Sequence, residues 1–245
     1  MSTHDAAAGP GTITAREVIL RAWRGPALPA DGSWVRMAPW VEGLHAVVAT
    51  YAYAAVSAPS GITDDELEEW GADGLGGAHD PRLMTRLAGW HGAVDALDAV
   101  LVAPGTGSSP LVARPDLDDH PRVRFAQESR DAVRVLGWPD RDDVVVTVGD
   151  SLGGLPVVSY EIAPGARGER LGSRTVAATR GLVAEGEPVV VLISPGNVPS
   201  LRSALRAGYE PVGSIQLYRP QGAGARSHDA DAPSSALRAG AMVVG

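Results

Sequence analysis

The C-terminal half of the chain alternates apolar and mixed segments in an order typical of a layered α/β domain. Two segments, Ala132–Trp138 and Val144–Gly149, have the apolar, β-branched character of successive strands. Antiparallel hairpins followed by a helical crossover imply a mixed sheet, so the predicted fold class is mixed α/β with α+β-like character. The elements predicted next are strand Leu155–Ile162, an Arg/Gly loop Ala166–Gly172, helix Ser173–Ala184, strand Pro188–Ser194, helix Asn197–Ala207 and strand Pro211–Arg219.

The N-terminal half carries shorter signals. Thr63, followed three residues later by Glu66, has the spacing of a helix capping box. Pro104–Pro110 is a Gly/Ser/Pro loop, and it is not a Walker loop because no Gly-Lys-Ser/Thr follows it. The other elements predicted here are strands Leu44–Thr50 and Ala99–Ala103 and helices Thr63–Trp70, Pro81–Leu97 and His120–Ser129.

Composition narrows the class of protein. The 245 residues are 44% hydrophobic and 20% charged, as in soluble globular proteins. No apolar run approaches the roughly 18 residues that a membrane helix needs. The first residues, Met1–Gly11, lack the basic and apolar regions of a signal peptide. These features predict a cytoplasmic protein with no membrane partner.

The net charge and the content of cysteine and histidine exclude several kinds of site. The chain has no cysteine, which excludes disulfides and thiolate chemistry. Its six histidines are scattered, with no pair at helical spacing, so no metal site is predicted. A net charge of −8 argues against broad binding of nucleic acids, although a local basic stretch can still hold a small phosphorylated ligand.

The segment Arg167–Ser173 joins a predicted strand to a predicted helix N-terminus. Backbone N–H groups in such a loop point toward a common centre, and the helix dipole favours negative charge there. The sequence therefore predicts that this loop holds a phosphate-bearing ligand. The alternative is an ordinary connection between a strand and a helix.

The residues Pro164-Gly165-Ala166-Arg167-Gly168-Glu169-Arg170-Leu171-Gly172-Ser173 resemble the pyrophosphate-binding loop of the GNAT acyltransferase superfamily. That loop has the form Arg/Gln-x-x-Gly-x-Gly/Ala at the start of a helix. Arg167 matches its leading residue, Leu171 its apolar spacer and Gly172 its second glycine. Arg170 stands where the family usually has its first glycine, and its side chain would either obstruct the diphosphate or contact it.

A second block, from Asn197 to Gly213, is similar to the family's Asn-x-x-(Ser/Ala)…Ala-Gly-(Phe/Tyr)-x-x-Val-Gly pattern. In the family, the equivalent of Asn197 contacts the pantetheine arm, which enters between two splayed strands. Asn197 also suits a plain helix cap. The family often has a tyrosine, the general acid for the leaving thiolate, where this chain has Ala204. Candidates to replace that acid are Ser203, Ser200, Tyr209 and solvent, and core packing is the favoured explanation of Tyr209.

The resemblance implies an N-acyltransferase that moves an acetyl or related acyl group from acetyl-CoA, or another acyl-CoA, to an amine by direct attack. It implies that strand-end amides near Ile162 polarise the thioester carbonyl. Glu161 sits where some relatives have a general base, and a solvated strand carboxylate is the alternative. The implied catalytic residues are Glu161 and Ser203, and the implied cofactor-binding residues are Ile162, Arg167, Gly168, Arg170, Leu171, Gly172, Ser173 and Asn197.

Two other functions stay open because Arg170 and Ala204 depart from the family pattern. One is a GNAT-fold biosynthetic transferase whose donor is an aminoacyl-tRNA or a carrier-protein thioester. The other is an acyl-CoA-binding module without catalysis. The acceptor is a small-molecule or peptide amine, a tRNA donor is the one nucleic-acid partner kept open, and a homo-oligomer is compatible with the sequence.

A third class, hydrolases, is suggested by Gly149-Asp150-Ser151-Leu152-Gly153, which fits Gly-x-Ser-x-Gly. A nucleophile elbow leads into a helix, whereas this segment precedes the predicted strand Leu155–Ile162. A hairpin turn is therefore predicted. For the whole chain we predict a disordered N-terminus (1–15), an N-terminal α/β region that extends the sheet or forms a degenerate second module (16–118), a GNAT-like acyl-CoA-binding domain (119–220) and a flexible tail (221–245).

Overall fold

The computed structural model describes residues 12–166 and 170–222. Within these residues the chain forms two compact units, one of residues 12–94 with 216–222 and the other of residues 95–215. The helices are α1 (Ala15–Arg24), α2 (Asp64–Glu69), α3 (Pro81–Ala88), α4 (Pro121–Gln127), α5 (Leu171–Thr179) and α6 (Val198–Arg206). The strands are β1 (Trp34–Arg36), β2 (His45–Thr50), β3 (Tyr53–Val56), β4 (Ala93–Pro104), β5 (Val112–Ala113), β6 (Asp131–Gly137), β7 (Val144–Ser151), β8 (Leu155–Ile162), β9 (Pro188–Ile193) and β10 (Glu210–Arg219).

The first unit packs α2 and α3 on a small sheet. β1 and β3 pair in parallel, and β3 pairs with β2 in antiparallel fashion. The capping box predicted at Thr63 is present, since the Thr63 hydroxyl accepts from the Glu66 N–H and the Glu66 carboxylate accepts from the Thr63 N–H. Tyr218, in the last part of β10, is buried in this unit's core and donates a hydrogen bond to the Ser57 carbonyl at 2.6 Å. The core also contains Val47, Val56, Leu67, Leu83, Met84 and Leu87.

The second unit contains the mixed sheet. Its strands lie in the order β4-β9-β8-β7-β6-β5, with only the β9–β8 pair parallel. The order predicted from Ala132 onward, three strands followed by helix, strand, helix and strand, is confirmed by β6 to β10. The mixed α/β class is also confirmed. Apolar side chains of the sheet pack against α5 and α6, and those most deeply buried include Val146, Val158, Tyr160, Val176, Val191 and Ala204.

Two predicted helices have the wrong length. The helix predicted over Pro81–Leu97 ends at Ala88, because Gly89 takes a left-handed φ of +74° and a strand begins at Ala93. The helix predicted over Ser173–Ala184 begins at Leu171, ends at Thr179 and continues only as a 3-10 turn over Arg180–Leu182. Gly181 in that turn lies so close to the Ser108 carbonyl that a Cβ atom would come within 1.9 Å of the oxygen.

The predicted domain limits stay predictions. The compact units change over at 94/95 and 215/216, whereas the sequence places limits at 118/119 and 220/221. Most of the predicted disordered N-terminus (1–15) and of the flexible tail (221–245) lies outside the described residues.

Candidate functional site

The parallel strands β8 and β9 pair over only two residues. Val157 pairs with Val190 and Val158 with Val191, and no later pair joins these two strands in the register. β8 continues from Ser159 to Ile162 while it remains paired with β7 on its other side. This short register is what the predicted splaying requires. The backbone groups on the β9 side of the last part of β8, Ser159–Ile162, therefore have no pair in β9. Backbone groups of this kind bond water or a ligand.

The N-terminus of α5 follows β8 after a short connection. Arg170 occupies the N-cap position with φ +59° and ψ 21°, and its side chain makes no capping hydrogen bond. The first N–H groups of a helix have no partner within the helix, and they are not capped here by Arg170. Leu171 is buried in the core and fixes the start of the helix. Arg167 and Gly168, both predicted to bind the cofactor, lie outside the described residues.

Three hydroxyl groups lie where α5, α6 and β8 meet. Ser173 Oγ donates a hydrogen bond to Ser203 Oγ at 3.4 Å. Tyr160 is fully buried, and its Oη has no hydrogen-bond partner among the described residues. Burial raises the pKa of Tyr160, and the nearby Ser203 hydroxyl lowers it by a smaller amount. The structure therefore brings the predicted residues Ser173 and Ser203 together and adds Tyr160, which the sequence reasoning missed.

The other residues that the second family block singled out have structural roles. Ala204 is completely buried in the core. Tyr209 shares a hydrogen bond of 2.9 Å with Thr179 Oγ1, as expected of a packing residue. Asn197 caps α6, because its Oδ1 accepts from the Ser200 N–H at 3.3 Å. Its contact with a pantetheine arm stays a prediction.

The opposite face of β8 carries charge. Glu161 pairs with Arg122 of α4 at 3.3 Å (Nε–Oε2). Arg130 donates to Thr147 Oγ1 at 3.2 Å and to Ser159 Oγ at 3.1 Å. The predicted alternation, with Ser159 and Glu161 on one face and Tyr160 on the other, agrees with these contacts. Neither arginine was predicted, since only the packing on the sheet of α4, which carries Arg122, and of the segment after it, which carries Arg130, brings them to this face.

Asp98 of β4 was also missed by the sequence reasoning. It lies one residue before the first β4–β9 pair, which joins Ala99 to Ile193. Its side chain is buried and Oδ1 has no hydrogen-bond partner within the described part of the chain. Burial, with a smaller contribution from the charge of Asp95, raises the pKa of Asp98 to about 8.

The Gly-x-Ser-x-Gly segment forms the β7–β8 hairpin, as predicted. Ser151 pairs with Leu155 across the hairpin, and its Oγ donates to the Ser129 carbonyl at 2.9 Å. Leu152 has a φ of +54°, followed by Gly153 and Gly154 with positive φ. No helix follows the serine, so this segment is not a nucleophile elbow.

Among residues 12–166 and 170–222, no group of three His, Cys, Asp or Glu side chains is placed to hold a metal ion. In the same part of the chain, no helix combines the length and apolar character needed to cross a bilayer. The cytoplasmic location stays a prediction.

Neither a protein-family model nor a curated protein matches the chain. Solved structures that resemble it include a GCN5-related N-acetyltransferase from Kribbella flavida, with 14% identity, a TM-score of 0.39, and coverage of 60% of this chain and 65% of that chain. An acetyltransferase of the GNAT family from Colwellia psychrerythraea has 9% identity and a TM-score of 0.35, with 53% and 57% covered. A GCN5-related N-acetyltransferase from Sphaerobacter thermophilus has 15% identity and a TM-score of 0.35, with 58% and 55% covered.

These three structures belong to the superfamily that the sequence motifs resemble. The match spans less than two thirds of the length of each of those chains. At such low identities and TM-scores, the similarity does not bear on the donor or the acceptor of this chain.

Proposed function

We propose that this protein transfers an acyl group from an acyl-CoA thioester, with acetyl-CoA as the expected donor, to an amine. The observation that carries the proposal is the two-residue register between β8 and β9, followed in the chain by the N-terminus of α5. The incomplete pairing leaves backbone groups for the arm of a thioester, and the helix N-terminus favours a phosphate group. The sequence motifs at Gly172 and Asn197 support the same assignment.

The donor's phosphates would be held by the start of α5. Gly172 is the second residue of this helix, where the absence of a side chain lets a diphosphate approach the backbone. Arg170 adds a positive charge at the N-cap. The left-handed conformation of Arg170 is one that glycine adopts readily, which gives a physical reason for glycine at the matching position of the family motif.

The reaction requires a new bond from the amine nitrogen to the thioester carbonyl carbon and cleavage of the carbon–sulfur bond. Backbone N–H groups at the end of β8, near Ile162, stabilise the negative charge on the carbonyl oxygen. Glu161, held by Arg122 at the same strand end, accepts the proton lost by the amine. Positioning of the two reactants supplies much of the remaining rate enhancement.

The leaving thiolate takes its proton from the hydroxyl cluster. Ser203 and Tyr160 are the candidate donors, because they project from α6 and β8 toward one another and the family's usual tyrosine is absent at Ala204. Help from a general acid is typically worth about 10²–10⁴-fold in rate.

Gly172→Asp tests the donor site. A carboxylate at this position would face the diphosphate, and two unit charges about 4 Å apart repel by roughly 4 kcal/mol at an effective dielectric near 20. We expect CoA affinity to fall about a thousandfold in calorimetry. Gly61→Asp is the matched control, since Gly61 lies in the other compact unit and a Cβ atom added to it would meet no other atom within 4 Å. Unchanged affinity in a folded Gly172→Asp protein would show that the loop does not hold the donor.

Catalysis is tested by release of free CoA from acetyl-CoA in the presence of a panel of amines. Binding without release for every amine would favour the non-catalytic module. A co-purified complex that loses its ligand after ribonuclease treatment would favour an aminoacyl-tRNA donor. Release that depends on a carrier-protein thioester, and not on acetyl-CoA, would identify the other alternative donor.

A further inference from the structure

The face of β8 that carries Glu161 holds more buried positive charge than negative charge. Arg122 is 4% exposed and Arg130 is 8% exposed. Glu161 pairs with Arg122, and its side chain is 34% exposed. No ion pair among the described residues includes Arg130.

Arg130 is held by neutral groups only. Its Nη1 donates to Thr147 Oγ1, to Ser159 Oγ and, at 3.5 Å, to the Val157 carbonyl. Thr147 and Ser159 also share a hydrogen bond of 2.8 Å with each other. In the described part of the chain, Nε and Nη2 of Arg130 therefore have no hydrogen-bond acceptor, although a guanidinium has five N–H donors.

An anion beside this guanidinium would stabilise it. Moving a charge from water into a protein interior costs several kcal/mol unless an opposite charge and hydrogen bonds compensate it. Burial, with a smaller contribution from the neighbouring charge of Arg122, lowers the pKa of Arg130 to about 10, so the group is still charged at neutral pH. The protein thus keeps one buried cation that lacks a counter-charge among the described residues.

We propose that Arg130, with Arg122 beside it, binds a carboxylate of the acceptor, so that the acceptor is an amine that also carries a carboxylate group. This inference rests on the proposed acyl transfer and names the substrate class for it. A carboxylate suits Arg130 because its two oxygens match the planar N–H fork of a guanidinium. Glu161, the more exposed member of the cluster at the end of the same strand face, then lies on the side from which the amine reaches the thioester.

The binding test needs no donor and no turnover. Calorimetry compares α-amino acids and dipeptides with their C-terminal amides, which lack only the carboxylate charge. We expect at least one acid to bind about 10- to 100-fold more tightly than its amide. If only amino acids bind more tightly than their amides, the acceptor is a free amino acid. If dipeptides also bind more tightly than their amides, the carboxylate that Arg130 binds is a peptide C-terminus. Equal binding of acids and amides would overturn the proposal.

Substitution of Arg130 locates the preference. In Arg130→Met we expect the acid-to-amide ratio of affinities to fall to about one. Arg124→Met, which removes the same charge from an exposed position on α4, should keep the ratio of the wild type. A ratio that Arg130→Met leaves intact would refute the assignment.

Arg130→Met should fold, because it removes an unpaired buried charge and leaves Thr147 and Ser159 bonded to each other. If circular dichroism shows that it does not fold, Arg130→Lys decides the question. Lysine keeps the positive charge and loses the planar N–H fork, so the acid-to-amide ratio of affinities should fall below that of the wild type but stay above one. A ratio unchanged from the wild type in folded Arg130→Lys would then contradict the proposal.

The outcome separates this inference from the proposed function. Acid-selective binding with no release of CoA from any thioester would keep the carboxylate site and overturn acyl transfer. Release of CoA at equal efficiency with acids and amides would keep acyl transfer and overturn the carboxylate site.

Discussion

Asp98→Asn should stabilise the protein by an amount that grows with pH. The carboxyl of Asp98 is buried with Oδ1 unpartnered among the described residues, and burial raises its pKa from 3.8 to about 8. A buried carboxyl that prefers to stay protonated opposes folding at any pH where the unfolded chain ionises it. Asparagine has a similar shape and never ionises, so it removes this cost.

The direction and the pH range follow from the raised pKa. Below about pH 4 the carboxyl is protonated in both the folded and the unfolded protein, and it costs nothing. Between about pH 4 and 8 the folded state binds a proton that the unfolded state has lost, so the free energy of unfolding falls as pH rises. Each pH unit in this range is worth at most about 1.4 kcal/mol, which limits the change between pH 5 and 8 to about 4 kcal/mol.

Thermal unfolding at pH 5, 6, 7 and 8 measures the effect. Because 1 kcal/mol shifts the Tm of a domain of this size by about 2–4 °C, the Tm difference between Asp98→Asn and the wild type should widen by several degrees from pH 5 to pH 8. Asp140→Asn makes the same chemical change at an exposed position of the same unit and should show no widening. Parallel pH profiles for Asp98→Asn and the wild type would mean that Asp98 is ionised in the folded protein, and would refute the link between its burial and stability.

Two further predictions concern the site. Tyr160→Phe should lower kcat in the CoA-release assay about a hundredfold, which is the lower end for loss of a general acid. Its Tm should stay equal or rise, because the lost hydroxyl is buried without a partner among the described residues. An unchanged kcat would exclude Tyr160 as proton donor. Arg170→Gly should raise the free energy of unfolding by roughly 0.5–1 kcal/mol, because glycine adopts the φ of +59° without strain, and a loss of stability in denaturant unfolding would contradict this. The same variant should bind CoA equally or more tightly if the arginine obstructs the diphosphate, and more weakly if it contacts a phosphate.

The regular part of the second unit was predictable because it depends on local pattern. The strand Leu155–Ile162 has the same limits in the structure as in the prediction, and its alternation correctly separates Glu161 from Tyr160. The apolar segment that becomes β9 was found for the same reason, since a strand covered on both faces has a continuous β-branched sequence. Gly89 shows the limit of such patterns. The apolar positions continue past it, and only its left-handed backbone separates a helix from a strand.

The charged side of the site could not be predicted from local pattern. Arg122 and Arg130 lie far from Glu161 and Ser159 in sequence, and they meet them only because α4 and the segment after it pack on the sheet. An arginine in the amino-acid sequence does not indicate whether its guanidinium will be buried without a carboxylate partner. Asp98 is similar, because nothing in the neighbouring sequence indicates that this carboxyl is buried.

The position of Tyr218 has a consequence for how the chain matures during synthesis. The core of the first unit is completed by this side chain, whose hydroxyl reaches Ser57 from 161 residues downstream. When residues 12–94 have left the ribosome, Tyr218, which belongs to the core of the same unit, has not yet been made. Domains usually fold in the order in which they emerge, but the core of the first unit is complete only once Tyr218, which follows the second unit in the chain, has been translated. We therefore expect the N-terminal unit to be the last to be completed, although it is the first to be made.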